Sequence, residues 1–192
     1  MNKPSKKTCG WVSQNPLMIK YHDVEWGVPV YDDQKLFEFF VLDCFQAGLS
    51  WEIVLNKRAN FKQAFDNFDY KKIAKYTSRD IKRLLADAGI IRNRLKIAAT
   101  ITNAQKFLEV QKEVNSFSKY IWQFVGGQPK INKFKKLADL PATSSESDEL
   151  SKDLKKRGFK FVGSTIIYAF MQAAGLVNDH TTDCWRYKQV NK

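Results

Sequence analysis

The sequence predicts an all-α protein. Apolar residues recur at helical spacing along most of the chain, whereas FKFVG at 159–163 is the only short β-like run. Ser or Asp stands where several periodic segments begin, and Gly89, Gly158 and Gly175 follow where they end, as helix caps do. The 192 residues suit one helical domain, or two small lobes that share a core.

The first predicted helix begins at an Asp-Asp cap at 32–33 and is apolar on nearly every side. Between residues 36 and 47 its polar members are Glu38, Asp43 and Gln46. A helix with so little polar surface is expected to run through the interior of the protein.

Further helices follow the same capping and spacing rules. They are predicted from Ser50 onward and at 78–88, 92–114, 118–125, 147–157 and 164–174. Turn-forming residues predict flexible segments at 126–133 and 140–147, and the basic start of the chain predicts a flexible tail over 1–8.

Composition narrows the class of protein. With 44% hydrophobic and 14% aromatic residues, most of the chain is expected to be ordered. No segment approaches the roughly 18 consecutive apolar residues of a membrane span, so no membrane partner and a cytoplasmic location are expected. Its net charge of +12 favours a polyanion such as nucleic acid, with a solvated lysine-rich face as the alternative.

The few cysteines and histidines form a candidate metal site. His180 and Cys184 make an H-x3-C pair, and Cys9 and His22 supply two more ligands of the types that tetrahedral zinc prefers. The alternative is that these residues are unrelated, because the two halves lie at opposite ends of the chain. Cys44, on the predicted interior helix, is expected to be a core thiol.

The pattern over residues 84–101 predicts a helix, a glycine turn and a second helix. Gly89 lies in the turn, and Arg92, Arg94 and Lys96 open the second helix. Free amides at a helix N-terminus together with arginines favour a phosphate group. An ordinary αα-hairpin with a glycine cap explains the same pattern.

A carboxylate on the interior helix indicates a second candidate site. Asp43 is costly to bury unless it faces a cleft, a cation or hydrogen-bond donors. Aromatic residues flank it in sequence, and aromatic walls with one acid suit a flat, positively charged heterocycle. The alternative is that Trp11, Tyr21, Trp26 and Trp51 are simply core residues.

Taken together, five segments carry a family resemblance. The segments are CGWVSQNPL, YHDVEWGVP, QAGLSW, AGIIRNR and KKRGFKFVGSTIIYAFMQAAGLVNDH. In this order and spacing they resemble the Tag-type DNA-3-methyladenine glycosylases of bacterial base-excision repair, over about residues 9–184. The resemblance implies one domain over 1–192 with the helix-hairpin-helix glycosylase fold, whose hairpin element occupies about 78–101.

The resemblance also implies residue roles. One structural Zn²⁺ joins the two ends of the chain, held by Cys9, His22, His180 and Cys184. The enzyme hydrolyses the N-glycosidic bond of 3-methyladenine in double-stranded alkylated DNA, releasing the free base and leaving an abasic site. The target nucleotide is flipped into a pocket.

By the same resemblance, Gly48 and Leu49 fill the gap in the base stack, and Gly89, Arg92 and Arg94 grip the DNA backbone. Trp11, Tyr21 and Trp51 line the base pocket. We expect a monomer without lyase activity, since no lysine replaces a residue in the matched pocket segments to act as a Schiff-base nucleophile.

Three positions depart from the family pattern. Asp43 stands where the family has Glu, Met18 where it commonly has Tyr, and Ala169 where it has Ser. Asp43, taken as the catalytic acid, is one methylene shorter than Glu. These departures suggest the alternative of an altered-specificity or non-enzymatic lesion-binding protein on the same scaffold. A generic zinc-bearing DNA-binding protein is less favoured, because nothing resembles a recognition helix.

Overall fold

Helices dominate the computed structural model, which describes residues 6–190. They are α1 (Pro16–Val24), α2 (Asp33–Gln46), α3 (Trp51–Ala64), α4 (Tyr70–Ile73), α5 (Ser78–Ala86), α6 (Arg94–Val114), α7 (Phe117–Trp122), α8 (Ser145–Lys156) and α9 (Ser164–Ala173). Short 3₁₀ turns lie at Asp66–Phe68, Gln123–Val125 and Leu137–Asp139. The predicted predominance of helix is confirmed.

The small amount of β structure lies elsewhere than predicted. Strands β1 (Lys130–Ile131) and β2 (Val177–Asn178) pair in parallel, and β1 falls in a segment that was expected to be a loop. FKFVG is not a strand, because side chains satisfy its backbone. Asn103 bonds both the amide and the carbonyl of Lys160, at 2.8 and 3.0 Å, and Ser151 donates to the Val162 carbonyl at 2.6 Å.

Helix α1 was not predicted, although its start carries a clear signal. Asn15 caps the helix by accepting a hydrogen bond from the amide of Leu17, and Pro16 occupies the first helical position. The helix buries Met18, Tyr21 and His22, whose spacing puts them on one side. α1 therefore delivers three candidate site residues from a single face.

The predicted interior position of α2 is confirmed. Asp32 caps its start through the Lys35 amide at 2.8 Å, and the helix is buried along nine of its side chains. Phe40 meets the rings of Phe117, Phe159 and Phe170 edge-on at 5.4–6.1 Å. Helix α2 packs on α3, α6, α7 and α9. These contacts fix the positions of the chain segments that precede and follow α2.

The two ends of the chain meet. The Trp185 amide donates to the Lys7 carbonyl at 3.0 Å, and the Lys6 ammonium lies 3.8 Å from the centre of the Trp185 ring. Of the tail predicted as flexible, residues 1–5 lie outside the described residues. Within 6–190, no helix has the length and apolarity of a membrane span.

Candidate functional site

A cavity of about 470 Å³ opens between α1, α2, α3 and α9. All the residues that the resemblance assigned to the base pocket line it, together with the candidate catalytic acid. These are Trp11, Met18, Tyr21, Asp43, Trp51 and Ala169. Segments that lie far apart in the sequence thus form one site, large enough for a single flat heterocycle.

The cavity has further walls that the sequence analysis did not assign. They include Trp26, Gln46, Ser50, Glu52, Leu137, Leu140, Pro141 and Gln172. Gln46 follows Asp43 at i+3 on an apolar helix, which places the two on one face and is a signal that sequence reasoning had available. The loop at 137–141 carries no such signal, because only the tertiary fold brings it to the cavity.

Two acids line this cavity. Glu52 Oε1 accepts a hydrogen bond from the Asn15 side-chain amide at 2.9 Å, whereas Asp43 is the buried acid. Its residue surface is 3% exposed, and its Oδ2 is buried without a hydrogen-bond partner among the described residues. Burial away from water raises the pKa of the carboxyl well above its usual range. An unpaired acceptor at a cavity wall is suited to a ligand that brings a positive charge or an N–H donor.

Aromatic rings form the rest of the wall. The rings of Tyr21 and Trp51 lie 4.9 Å apart, and Trp11 meets Tyr21 edge-on at 6.3 Å. The indole N–H groups of Trp11 and Trp51 are buried and also lack a partner within residues 6–190. The cavity therefore offers flat apolar faces together with unpaired donors and one buried acid that has an unpaired oxygen.

A tight turn leads from α2 to α3 beside the cavity. Gly48 has a φ of 76°, which favours glycine, and the Leu49 amide donates to the Gln46 carbonyl at 2.7 Å. Ser50 then caps α3. The Leu49 side chain is 38% exposed, so the turn presents an apolar side chain to solvent at the rim of the site.

The predicted hairpin between α5 and α6 has Gly89 in its turn. The Gly89 amide donates to the Asp87 carboxylate at 2.7 Å, and Lys57 and Asn60 donate to the Gly89 carbonyl. A Cβ at Gly89 would lie 2.9 Å from Asp87 Oδ1, which explains the need for glycine. The amide of Gly89 is thus occupied within the protein.

The basic residues of the hairpin separate into two groups. Arg92 and Arg94 are exposed, and α6 begins at Arg94, two residues later than predicted. Lys96 does not belong to the basic surface. Its ammonium is buried and donates to the carbonyls of Phe45 and Ala47 at 2.8 and 2.6 Å, because the end of α2 leaves these groups without helical partners.

The four candidate metal ligands converge in the structure. Cys9, His22, His180 and Cys184 are all buried, and their ligand atoms lie within 4.8 Å of one another. His22 Nε2 is 3.4 Å from the Cys184 sulfur, and His180 Nδ1 is 3.4 Å from the Cys9 sulfur. The expectation that the chain ends meet at one cluster is confirmed.

The hydrogen bonds around the cluster fit a metal ion. His22 Nδ1 is 2.7 Å from an Asp23 oxygen, and His180 Nε2 is 3.1 Å from the Trp26 carbonyl, so each ring has its second nitrogen directed at the sulfurs. Hydrogen bonds from Cys9 and both histidines lower the pKa of the Cys184 thiol, which favours the thiolate. Two thiols and two imidazoles can hold a metal ion.

The Cys/His cluster lies directly behind the cavity wall. The Trp26 ring packs edge-on against His180 at 4.7 Å and against Trp11 at 4.9 Å. Trp11 also meets His22 at 5.5 Å. A metal ion that held the two histidines in place would therefore also hold Trp11 and Trp26, which are two walls of the cavity.

Comparison with known proteins assigns the chain to a family. The family model described as methyladenine glycosylase matches residues 11–187. DNA-3-methyladenine glycosylase 1 of Escherichia coli (strain K12) is 53% identical over 179 residues, which cover 93% of this chain and 96% of the relative. The chain belongs to the methyladenine glycosylase family.

Solved structures agree with this methyladenine glycosylase assignment. A crystal structure of 3-methyladenine DNA glycosylase I superimposes with a TM-score of 0.91 at 52% identity, covering 93% of this chain and 98% of that one. The Staphylococcus aureus enzyme, solved to explain its 3-methyladenine recognition, gives 0.90 at 36% identity, covering 96% of each chain. The resemblance inferred from the sequence segments is confirmed.

Within this methyladenine glycosylase fold, the departures from the family pattern cluster. Asp43, Met18 and Ala169 come from three different helices, and all three line the one cavity. The three positions that are expected to depart from the family pattern therefore share one cavity.

Proposed function

We propose that the protein is a DNA-3-methyladenine glycosylase of base-excision repair. It takes a 3-methyladenine nucleotide out of double-stranded alkylated DNA into the 470 Å³ cavity and hydrolyses its N-glycosidic bond, leaving an abasic site. The observation that carries the proposal is the unpaired carboxylate of Asp43 facing aromatic walls, in a chain that belongs to the methyladenine glycosylase family.

The charge of the damaged base supplies most of the driving force. Methylation at N3 makes the adenine in DNA cationic, so the base is a good leaving group. Trp51 and Tyr21 hold the flat ring, and the cation favours the ionised form of Asp43 beside it. The site thus binds the base and excludes water from its faces, and general-acid catalysis is not needed.

The bond changes follow from this arrangement. The bond between C1′ of the deoxyribose and N9 breaks, and its electron pair passes to the base, which leaves as neutral 3-methyladenine. Water adds to C1′ and releases a proton. Asp43 binds the cationic base as the flipped nucleotide enters the site, and positive charge then moves from the base to the deoxyribose as the bond breaks.

DNA binding is assigned to two surfaces near the cavity. Leu49, held out by the turn at Gly48, fills the space that the flipped nucleotide vacates in the base stack. Exposed Arg92 and Arg94 pair with backbone phosphates, and Gly89 shapes the turn that precedes them. Residues 78–101 then act as a helix-hairpin-helix element within one domain.

We assign the metal to Zn²⁺ in a structural role. Cys9, His22, His180 and Cys184 would hold the ion, and four such ligands are the number that a structural zinc site uses. Bound there, it would stabilise the junction of the chain ends and, through Trp26 and Trp11, the cavity wall.

The residues that line the cavity support hydrolysis without lyase activity. None of these described residues is a lysine. The buried ammonium of Lys96 is engaged by two carbonyls, so it is not a free amine that attacks C1′. We expect a monofunctional glycosylase, so borohydride is expected to trap no covalent protein–DNA adduct.

The decisive experiment measures bases released from DNA treated with a methylating agent. Release of free 3-methyladenine is expected from the native protein, and Asp43→Asn is expected to lower the rate at subsaturating DNA about 100-fold, because the cationic base loses its negatively charged partner. Glu149→Gln, the same change at an exposed acid, serves as the control. DNA binding by the native protein without any base release would instead establish the lesion-binding alternative.

A further inference from the structure

A glutamine of the cavity wall has a fixed orientation. Gln172 lies in the last turn of α9 and lines the cavity, and its Nε2 donates to Asp179 Oδ2 at 2.7 Å. Its main-chain carbonyl accepts from the Gly27 amide at 3.0 Å, which anchors the residue independently of the side chain.

Asp179 determines which end of the Gln172 amide faces it. This carboxylate is 1% exposed and also accepts from the Tyr168 hydroxyl and from the amide of Asn132, both at 2.7 Å. The Asp179 carboxylate therefore accepts hydrogen bonds from three side chains. Turning the Gln172 amide round would bring its Oε1 against a carboxylate oxygen, which repels it, so Nε2 stays directed at Asp179.

The other end of the amide is consequently free for a ligand. Gln172 Oε1 has no hydrogen-bond partner within residues 6–190, and it is not among the buried unpaired atoms, so solvent in the cavity reaches it. The wall therefore offers the Gln172 oxygen as an acceptor that has no donor within the described residues.

We propose that Gln172 is a specificity-determining residue that accepts a hydrogen bond from the exocyclic amino group of an adenine-type base. An amino group has two N–H bonds, and the Gln172 oxygen supplies an acceptor for one of them. Guanine presents a carbonyl oxygen at the same ring position, which would face the Gln172 oxygen and repel it. Asp179 is the positioning residue that keeps the acceptor end of Gln172 toward the base.

This inference rests on the proposed function, since it names the base class that the cavity selects. Its selectivity has a physical basis in desolvation. A site with buried acceptors discriminates strongly against an analogue that cannot donate to them, because the acceptors lose water and gain no partner.

The test replaces Gln172 by Met, which keeps the length of the side chain and removes the acceptor. Binding of free 3-methyladenine and free 3-methylguanine is measured by tryptophan fluorescence. Gln172→Met is expected to weaken 3-methyladenine binding about tenfold and to change 3-methylguanine binding little, so the preference between the bases falls by a similar factor.

Gln105→Met is the matched control, because Gln105 is exposed and donates to the Ala74 carbonyl away from the cavity. An unchanged base preference in Gln172→Met would overturn the proposal. The binding assay needs neither DNA nor bond cleavage. Absence of base release by the native protein would therefore count against the proposed glycosylase function while leaving the base preference measurable.

The positioning role of Asp179 needs a separate test. Asp179→Asn allows the Gln172 amide to turn, so the base preference is expected to fall. If Asp179 acts through Gln172, the double variant is expected to show the same preference as Gln172→Met alone. Additive losses in the double variant would exclude this role, and a thermal melt of each variant checks that it is folded.

Discussion

At the scale of single residues, Asp43 shows how a binding site conflicts with stability. The carboxyl is buried, lacks a counter-charge, and has an oxygen without a partner within the described chain. Its pKa is raised in the folded protein by desolvation, so the native state holds a proton that the unfolded chain releases. Folding therefore works against ionisation at this position.

The conflict predicts a pH-dependent gain in stability for Asp43→Asn. Stability of the native protein falls as pH rises from the unfolded pKa toward the raised folded pKa, because the native state binds more protons than the unfolded state over that range. Asn is neutral at every pH, so its burial carries no penalty for ionisation. We expect the variant to be more stable at pH 7 by about 1 kcal/mol or more, with the difference closing below about pH 4.

Denaturant unfolding at several pH values measures this difference. Glu149→Gln, at an exposed acid, is expected to change stability little at any pH. A gain for Asp43→Asn that is constant with pH would contradict the desolvation explanation.

Lengthening the same side chain tests the three departures from the family pattern. Asp43→Glu extends the carboxylate by one methylene toward the cavity, and Met18 and Ala169 leave apolar surface beside it. We expect 3-methyladenine to bind about three- to tenfold more tightly, since a direct hydrogen bond replaces a water-mediated one. Equal or weaker binding in a fluorescence titration would show that Asp43 already reaches the base.

At the scale of secondary-structure elements, Lys96 joins two surfaces that are assigned to DNA. It belongs to the first turn of α6, directly after the exposed arginines, and its ammonium bonds two carbonyls at the end of α2 beside the Gly48–Leu49 turn. Burial lowers the pKa of this lysine, and the carbonyls compensate for lost water. The Lys96 side chain therefore links the hairpin directly to the turn.

Breaking this link is expected to affect action on DNA more than base binding. Lys96→Met removes the donor from both carbonyls and loosens the turn. We predict about a tenfold loss of base release from methylated DNA, with binding of free 3-methyladenine nearly unchanged. Lys112→Met, at an exposed position on the same helix, is the control. Equal losses in both assays would indicate a general structural effect instead.

The exposed arginines of the hairpin give a prediction about salt. Arg92→Gln and Arg94→Gln are each expected to weaken binding to DNA of any sequence and to reduce the slope of log affinity against log salt by about 1. Lys152→Gln, an equal change of charge on α8, is the control. Anisotropy titrations at several salt concentrations provide the slopes, and unchanged slopes would remove these residues from the DNA surface.

At the scale of the whole molecule, the Cys/His cluster brings the two ends of the chain together. Cys9 and Cys184 are 175 positions apart, yet their sulfurs belong to one buried group. The Zn²⁺ proposed for this cluster would stabilise the folded state, because ligands gathered by folding bind an ion far better than an unfolded chain does.

Removing the metal is therefore expected to destabilise the fold. Elemental analysis of the purified protein is expected to find one zinc per chain, and chelation should lower the melting temperature by about 5 °C or more. Cys184→Ser is expected to lose the metal, whereas Cys44→Ala, at a buried thiol outside the cluster, is expected to retain it. Full metal content in Cys184→Ser would contradict the ligand assignment.

Most of the helices and the members of the Cys/His cluster can be predicted from local sequence. Capping residues such as Asp32 and Ser50 act on their own turns, so their effect is readable locally. Cysteine and histidine are scarce enough that a shared site was a reasonable expectation. The β1–β2 pair was not readable, because its hydrogen bonds join segments more than forty residues apart.

Which polar groups lack hydrogen-bond partners depends on the tertiary structure and cannot be predicted from local sequence. The sequence shows an acid on an apolar helix, a lysine in a basic run and a glutamine in a family segment. The fold leaves an Asp43 oxygen unpaired, engages Lys96 with two carbonyls, and orients Gln172 against Asp179. Hydrogen-bond satisfaction depends on atoms brought together from distant positions, and for that reason the local pattern determined the helices but not the specificity of the cavity.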